Sequence, residues 1–122
     1  MSKGEIQYLL EEILDALLKI LSHTAGINKE DFLKNKHTID AVLRNFEMIS
    51  ESAGRIPEEF KILRRDIEWR RMTGFHNRIH QNHSGIDYEI VWKIKEENIP
   101  DLVEFIRQAM DDLKKLPGTS FP

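Results

Sequence analysis

Apolar residues spaced three and four apart run through almost the whole chain, and no stretch alternates apolar and polar residues in the manner of a strand. That spacing gathers apolar side chains on one face of a helix, whereas on a strand it would scatter them over both faces. Ile6, Leu9, Leu10, Ile13, Leu17 and Leu21 set the pattern, and Gly26 stops it. Asn28 before "KEDF" is an N-cap signal for a short helix or turn. A long helix begins near Thr38, with Ile39, Val42, Leu43, Phe46 and Ile49 on its stripe and Gly54 at its end. Pro57 with Glu58 and Glu59 suits the first turn of another short helix. From about Asp66 a further segment carries Trp69, Met72, Phe75 and Ile79, and Gly85 breaks it. Asp87 caps "YEIVWKIKEEN", and Asn98 with Pro100 restarts the chain as "DLVEFIRQAMDDLKKL", which Leu116-Pro117-Gly118 ends. No Asn-Gly or Asp-Gly hairpin signal occurs. The expected fold is all-α, a bundle of four or five helices forming a single domain over 1–122, with a loose tail at 117–122.

At 122 residues the chain suits one core. The absence of cysteine excludes disulfides, thiolate metal sites and cysteine nucleophiles, and fits a reducing cytoplasm. Glu11, Glu12 and Asp15 interrupt the first apolar run, so it is expected to be neither a membrane span nor a signal sequence. The net charge of −3 argues against a generic nucleic-acid coat. Positive charge nevertheless gathers at Lys61, Arg64, Arg65, Arg70, Arg71 and Arg78, with only Asp66 and Glu68 among them, as a phosphate-binding patch or a solvated helix face requires.

Just beyond that patch, "GFHNRIHQNHSGIDYEIVW" holds His76, His80 and His83, with Asn77 and Arg78 beside the first. Spacings of four and three place the imidazoles on one face if the helix continues that far. Such a face could hold zinc or nickel. No carboxylate lies between positions 69 and 86 to complete a site, and no metal is expected. No glycine-rich phosphate loop, Ser-His-Asp arrangement or paired-carboxylate motif is present, and no cofactor is expected either. On the helix from Thr38, Arg44, Glu47 and Glu51 fall at i, i+3 and i+7, lining one strip beside the apolar face. Trp69 and Trp92 read as core or interface anchors, because aromatics that stack on bases usually sit exposed on sheets or grooves.

"TIDAVLRNFEMISESAGRIPEEF", "IEWRRMTGFHNRI" and "GIDYEIVWKIKEENIPDLVEFI" together resemble the HepT-like (DUF86) branch of the HEPN superfamily, in one continuous order from about Thr38 to Met110. The resemblance implies a small homodimeric helical bundle acting as an RNase toxin, paired with a minimal nucleotidyltransferase antitoxin of the MntA type. It also implies metal-independent cleavage at a site where the motifs of two protomers converge. Histidine suits the base that deprotonates the 2′-hydroxyl, and arginine suits the charge on the scissile phosphate. The family's motif is an arginine, an adjacent polar residue, a histidine five positions after the arginine, and a tyrosine two beyond. Aligned without gaps on Gly85-Ile86-Asp87, the chain has His76, Asn77, Gln81 and His83 in those columns. In an offset register, Arg78 and His83 satisfy the arginine-to-histidine spacing two residues late. The implied site residues are therefore Arg78, His83, His76, Asn77 and His80, with Arg44, Glu47 and Glu51 supporting them at the dimer cleft. With a histidine in the tyrosine column, AMP transfer by the antitoxin cannot take its usual form, and Tyr88 is the nearest tyrosine. The alternative function is a catalytically inactive HEPN subunit that docks a nucleotidyltransferase and presents a nucleotide or substrate.

Overall fold

The computed structural model describes residues 1–81 and 85–118, with Gln81 described in its backbone alone. Helix α1 (Lys3–Thr24) packs against both α3 (Lys36–Arg55) and α8 (Ile99–Lys115) and forms the spine of the bundle. Ile6, Leu9, Leu10, Ile13 and Leu17 of α1 are buried as the sequence stripe requires, but the stripe ends on the fully buried Ile20, while Leu21 is only partly buried. A fully buried aliphatic side chain contributes about 1.5–3 kcal/mol relative to exposure, which makes this seam the main source of cohesion. Lys3 closes the loop between the ends, its Nζ donating to the Leu116 carbonyl at 2.6 Å at the C-terminal end of α8. A cation there meets carbonyls that have no helical partner.

Between the long helices lie α2 (Lys29–Lys34), α4 (Glu58–Leu63), α5 (Trp69–Thr73) and α6 (Phe75–Ile79), and α7 (Tyr88–Glu97) packs on α8, α2 and α6. Side-chain caps hold several starts. Asn28 Oδ1 accepts from the Asp31 amide at 2.8 Å, and Asp87 Oδ1 accepts from the Ile90 amide at 3.1 Å. Asn35 Oδ1 accepts from the Thr38 amide, so α3 starts at Lys36 rather than at Thr38.

Two differences from the sequence expectation shape the functional region. The segment carrying Trp69, Met72, Phe75 and Ile79 buries all four but is two short helices joined at Gly74. A Cβ at Gly74 would lie 3.0 Å from the Arg70 carbonyl oxygen, a close approach that glycine accommodates. Helix α6 then ends at Ile79, and the chain turns into an antiparallel pair of two-residue strands, β1 (His80–Gln81) and β2 (Gly85–Ile86). The pairing is His80 with Ile86 and Gln81 with Gly85. Gly85 has φ +82°, a backbone region open to glycine at no steric cost, which explains a hairpin without an Asn-Gly or Asp-Gly signature. Helix α6 ends before His80, so His76 and His80 do not share the helical face expected of the three histidines. His83 itself lies outside the described residues, as does most of the tail read as loose.

Candidate functional site

Helix α6 is seated on α3 by an edge-to-face contact between Phe75 and Phe46, with ring centroids 5.2 Å apart and both rings buried. Such a pair adds about 0.5–1.5 kcal/mol beyond its area burial and fixes the relative rotation of two elements. The next residue on each element is polar, and the two emerge together at the rim: Glu47 on α3 and His76 on α6. His80, the first residue of β1, brings its ring to 4.2 Å from that of His76, tilted by 35°. Glu47, His76 and His80 each offer one ligand atom, and these atoms all lie within 4.8 Å of one another. Glu47 and His76 are exposed and His80 is half-buried.

The geometry of α6 separates its polar residues. Phe75 and Ile79 face the core, and at about 100° per residue His76 and Arg78 project on opposite flanks, with Asn77 pointing outward between them. His76, Asn77 and Arg78 are all exposed. Arg78 lines an open groove of about 970 Å³ with Lys61, Arg65, Arg70 and Arg71, while Glu58 and Glu68 also border it. Trp69 and Gly74 form part of its wall. The imidazole pair and the arginine-lined groove thus lie on the two sides of one five-residue helix.

One member of the basic stretch does other work. Arg64 donates to both carboxylate oxygens of Asp66, at 2.9 and 2.7 Å, to Asp112 at 2.8 Å and to Gln108 at 3.0 Å. It clamps the α4–α5 turn onto α8 and is absent from the groove lining. The Asp66 hydrogen bond is the largest influence raising the guanidinium pKa further, burial opposes it and Asp112 adds to it. Arg71 also pairs with Glu68, at 2.9 Å. The groove's positive character therefore rests mainly on Arg65, Arg70 and Arg78.

On α3, Arg44, Glu47 and Glu51 are exposed as the i, i+3, i+7 strip requires. The ion pairs of the described residues run elsewhere, so the strip is not held by internal pairing. Asn45 is buried and donates to the Ala41 carbonyl at 2.8 Å. Ser50 ties α3 to α5, its hydroxyl donating to the Met72 carbonyl at 2.9 Å. Trp69 is buried with its indole N–H donating to the Arg64 carbonyl, so it is a core anchor as expected. Trp92 stacks at a tilt on Phe32 and lies under the Lys95 ammonium at 4.0 Å. Tyr88 stands exposed at the first position of α7.

The profile of the family described as "Ribonuclease HepT-like" matches residues 13–109. The chain belongs to the HepT-like ribonuclease family. A protein of Thermococcus cleftensis that carries the name probable ribonuclease HepT is 39% identical over 93 residues, 76% of this chain and 84% of its own length. A protein of Methanocaldococcus jannaschii with the provisional name of RNase is 29% identical over 114 residues, covering 93% of this chain and 94% of that one. Another so named, from Caldanaerobacter subterraneus subsp. tengcongensis, is 27% identical over 105 residues, 86% of this chain and 94% of its own. No solved structure gives a significant match. Among the described residues, no helix is long and apolar enough to cross a membrane.

Proposed function

We propose that this HepT-like chain is the RNA-cleaving toxin of a toxin–antitoxin pair, working in the cytoplasm as a homodimer and neutralised by an MntA-type nucleotidyltransferase. The observation that carries the reading is the division of labour across α6, with exposed imidazoles on one flank and an arginine-lined groove on the other. The groove cations follow the RNA backbone, and Arg78 clamps a phosphate near the cut. A histidine among His76, His80 and His83 takes the 2′-hydroxyl proton, and Asn77 orients a neighbouring group by hydrogen bonding. Arg44, Glu47 and Glu51 border the cleft in which the two protomers meet.

Because His76 and Arg78 leave α6 in opposite directions, one chain does not bring both to one phosphate, and a second copy would supply the missing partner. The test is complementation. His76→Ala and Arg78→Ala proteins, each inactive alone, are mixed, unfolded and refolded together. If each site takes its arginine from one protomer and its histidine from the other, mixed dimers contain one intact site, and about a quarter of wild-type cleavage returns. No recovery refutes the shared site. Robust cleavage by a His76→Ala, His80→Ala, His83→Ala triple variant refutes every histidine mechanism.

A second reading has its own support. Aligned without gaps, Gln81 occupies the histidine column of the motif, and a glutamine cannot act as a base. In that case the domain is a binding subunit that docks the nucleotidyltransferase, and expression of the wild-type chain alone leaves a bacterial host growing normally.

A further inference from the structure

We infer that Glu47, His76 and His80 form a binding site for a divalent transition metal of the zinc class. Two imidazoles and one carboxylate are a donor set that zinc uses with a fourth position left open. Bonds of about 2.1 Å to nitrogen and oxygen set two ligand atoms at most about 4.2 Å apart around a shared ion. The three ligand atoms here already lie within 4.8 Å of one another, so small rotations of exposed side chains close the set. Among the described residues, the side chains of Glu47, His76 and His80 make no hydrogen bond or ion pair, so their lone pairs are not committed to the fold. The framework beneath is packed, because the buried Phe46–Phe75 contact seats α6 on α3 next to two of the three ligands. Imidazole donors disfavour Mg²⁺ and Ca²⁺, which take oxygen ligands.

The consequence rests on the proposed function. A coordinated imidazole has no lone pair left to accept a proton, so metal occupancy withdraws His76 and His80 from cleavage. With the base assigned to one of these two histidines, zinc is an inhibitor of this ribonuclease and not its cofactor.

Calorimetric titration of chelator-treated full-length protein with Zn²⁺ tests the binding, independently of any nuclease assay. One equivalent per chain with a micromolar or tighter Kd is expected, together with no response to Mg²⁺. Glu47→Ala, His76→Ala and His80→Ala should each weaken zinc binding at least tenfold, while His23→Ala and His37→Ala leave it unchanged. Binding only in the millimolar range overturns the site. So does loss of binding in His83→Ala with retention in Glu47→Ala, which would assign the ion to the three histidines. In a cleavage assay, stoichiometric Zn²⁺ should suppress activity and chelator should restore it, and undiminished cleavage at full occupancy overturns the inhibitory role. Where the protein shows no cleavage with or without metal, the function is refuted, while the calorimetry still decides the site.

Discussion

Arg64→Met separates the cation that holds the fold from the cations that face the groove. The arginine side chain is only 13% exposed, so methionine keeps much of its packing while deleting four polar contacts to Asp66, Asp112 and Gln108. Hydrogen bonds to charged groups contribute about 1.5–3 kcal/mol each when their partners stay desolvated. Here they do not, since Asp66 and Asp112 side chains are 53% and 46% exposed and water recovers both carboxylates. The discount for exposed ion pairs brings the expected loss to about 1–2 kcal/mol, well short of the 3–5 kcal/mol typical of a broken buried pair. For a chain of this length that is a fall in Tm of roughly 3–10 °C. Scanning calorimetry at low and high salt should show the difference from wild type shrinking as salt rises. RNA affinity measured against salt should keep its slope, because Arg64 does not line the groove. Arg65→Met should do the reverse, sparing Tm and reducing the slope by about 0.7 for a single strand. An Arg64→Met protein with unchanged Tm and a reduced slope would refute the assignment.

Ser50→Ala removes the hydroxyl that joins α3 to α5 and should cost about 1 kcal/mol in urea unfolding, with faster amide exchange in α5; unchanged exchange there would show the contact to be idle. Gly85→Ala meets no atom within 4 Å, so its cost of about 1–2 kcal/mol comes from the positive φ alone, and a neutral result would contradict that backbone geometry. The Arg64 hydrogen bond holds the Asp66 carboxyl below its ordinary value, so its contribution is complete above the unfolded-state pKa of about 4 and is lost as pH falls through the lower folded value. Stability should therefore drop below about pH 4, and Asp66→Asn should flatten that acid limb in pH-dependent melting; an identical limb would assign it to other carboxylates.

The parts of the fold legible in the sequence are those whose causes are local. Asn28 and Asp87 announce their helices because a cap is written within three residues of the amide it serves. The stripes of α1, α3 and α8 are legible because long helices repeat their burial many times. The break at Gly74 was not legible, since Trp69, Met72, Phe75 and Ile79 keep helical spacing across it. Four buried residues at the right intervals satisfy one helix or two, and only the approach to the Arg70 carbonyl tells them apart. The hairpin was hidden for a related reason, because two paired residues per strand are too few to show alternation.

For the site, residue types were legible and directions were not. His76 and His80 are four apart, and they do meet, but α6 stops between them, and the strand pairing of His80 with Ile86 brings the second ring back to the first. Their carboxylate neighbour was invisible to a search along the local sequence, because Glu47 reaches them through the Phe46–Phe75 contact. The charge count also misassigned Arg64, whose partners Gln108 and Asp112 lie on the last helix. The two outcomes at the imidazoles share one cause. A short helix wedged between longer ones takes its orientation from the side chains it buries, and its polar residues go wherever the remaining angles send them. On α6 that sends His76 toward α3 and Arg78 toward the groove. The ungapped and offset registers of the motif thus correspond to opposite flanks of one helix. The choice between them is a question about what a second protomer brings to each flank, which spacing within one chain does not encode.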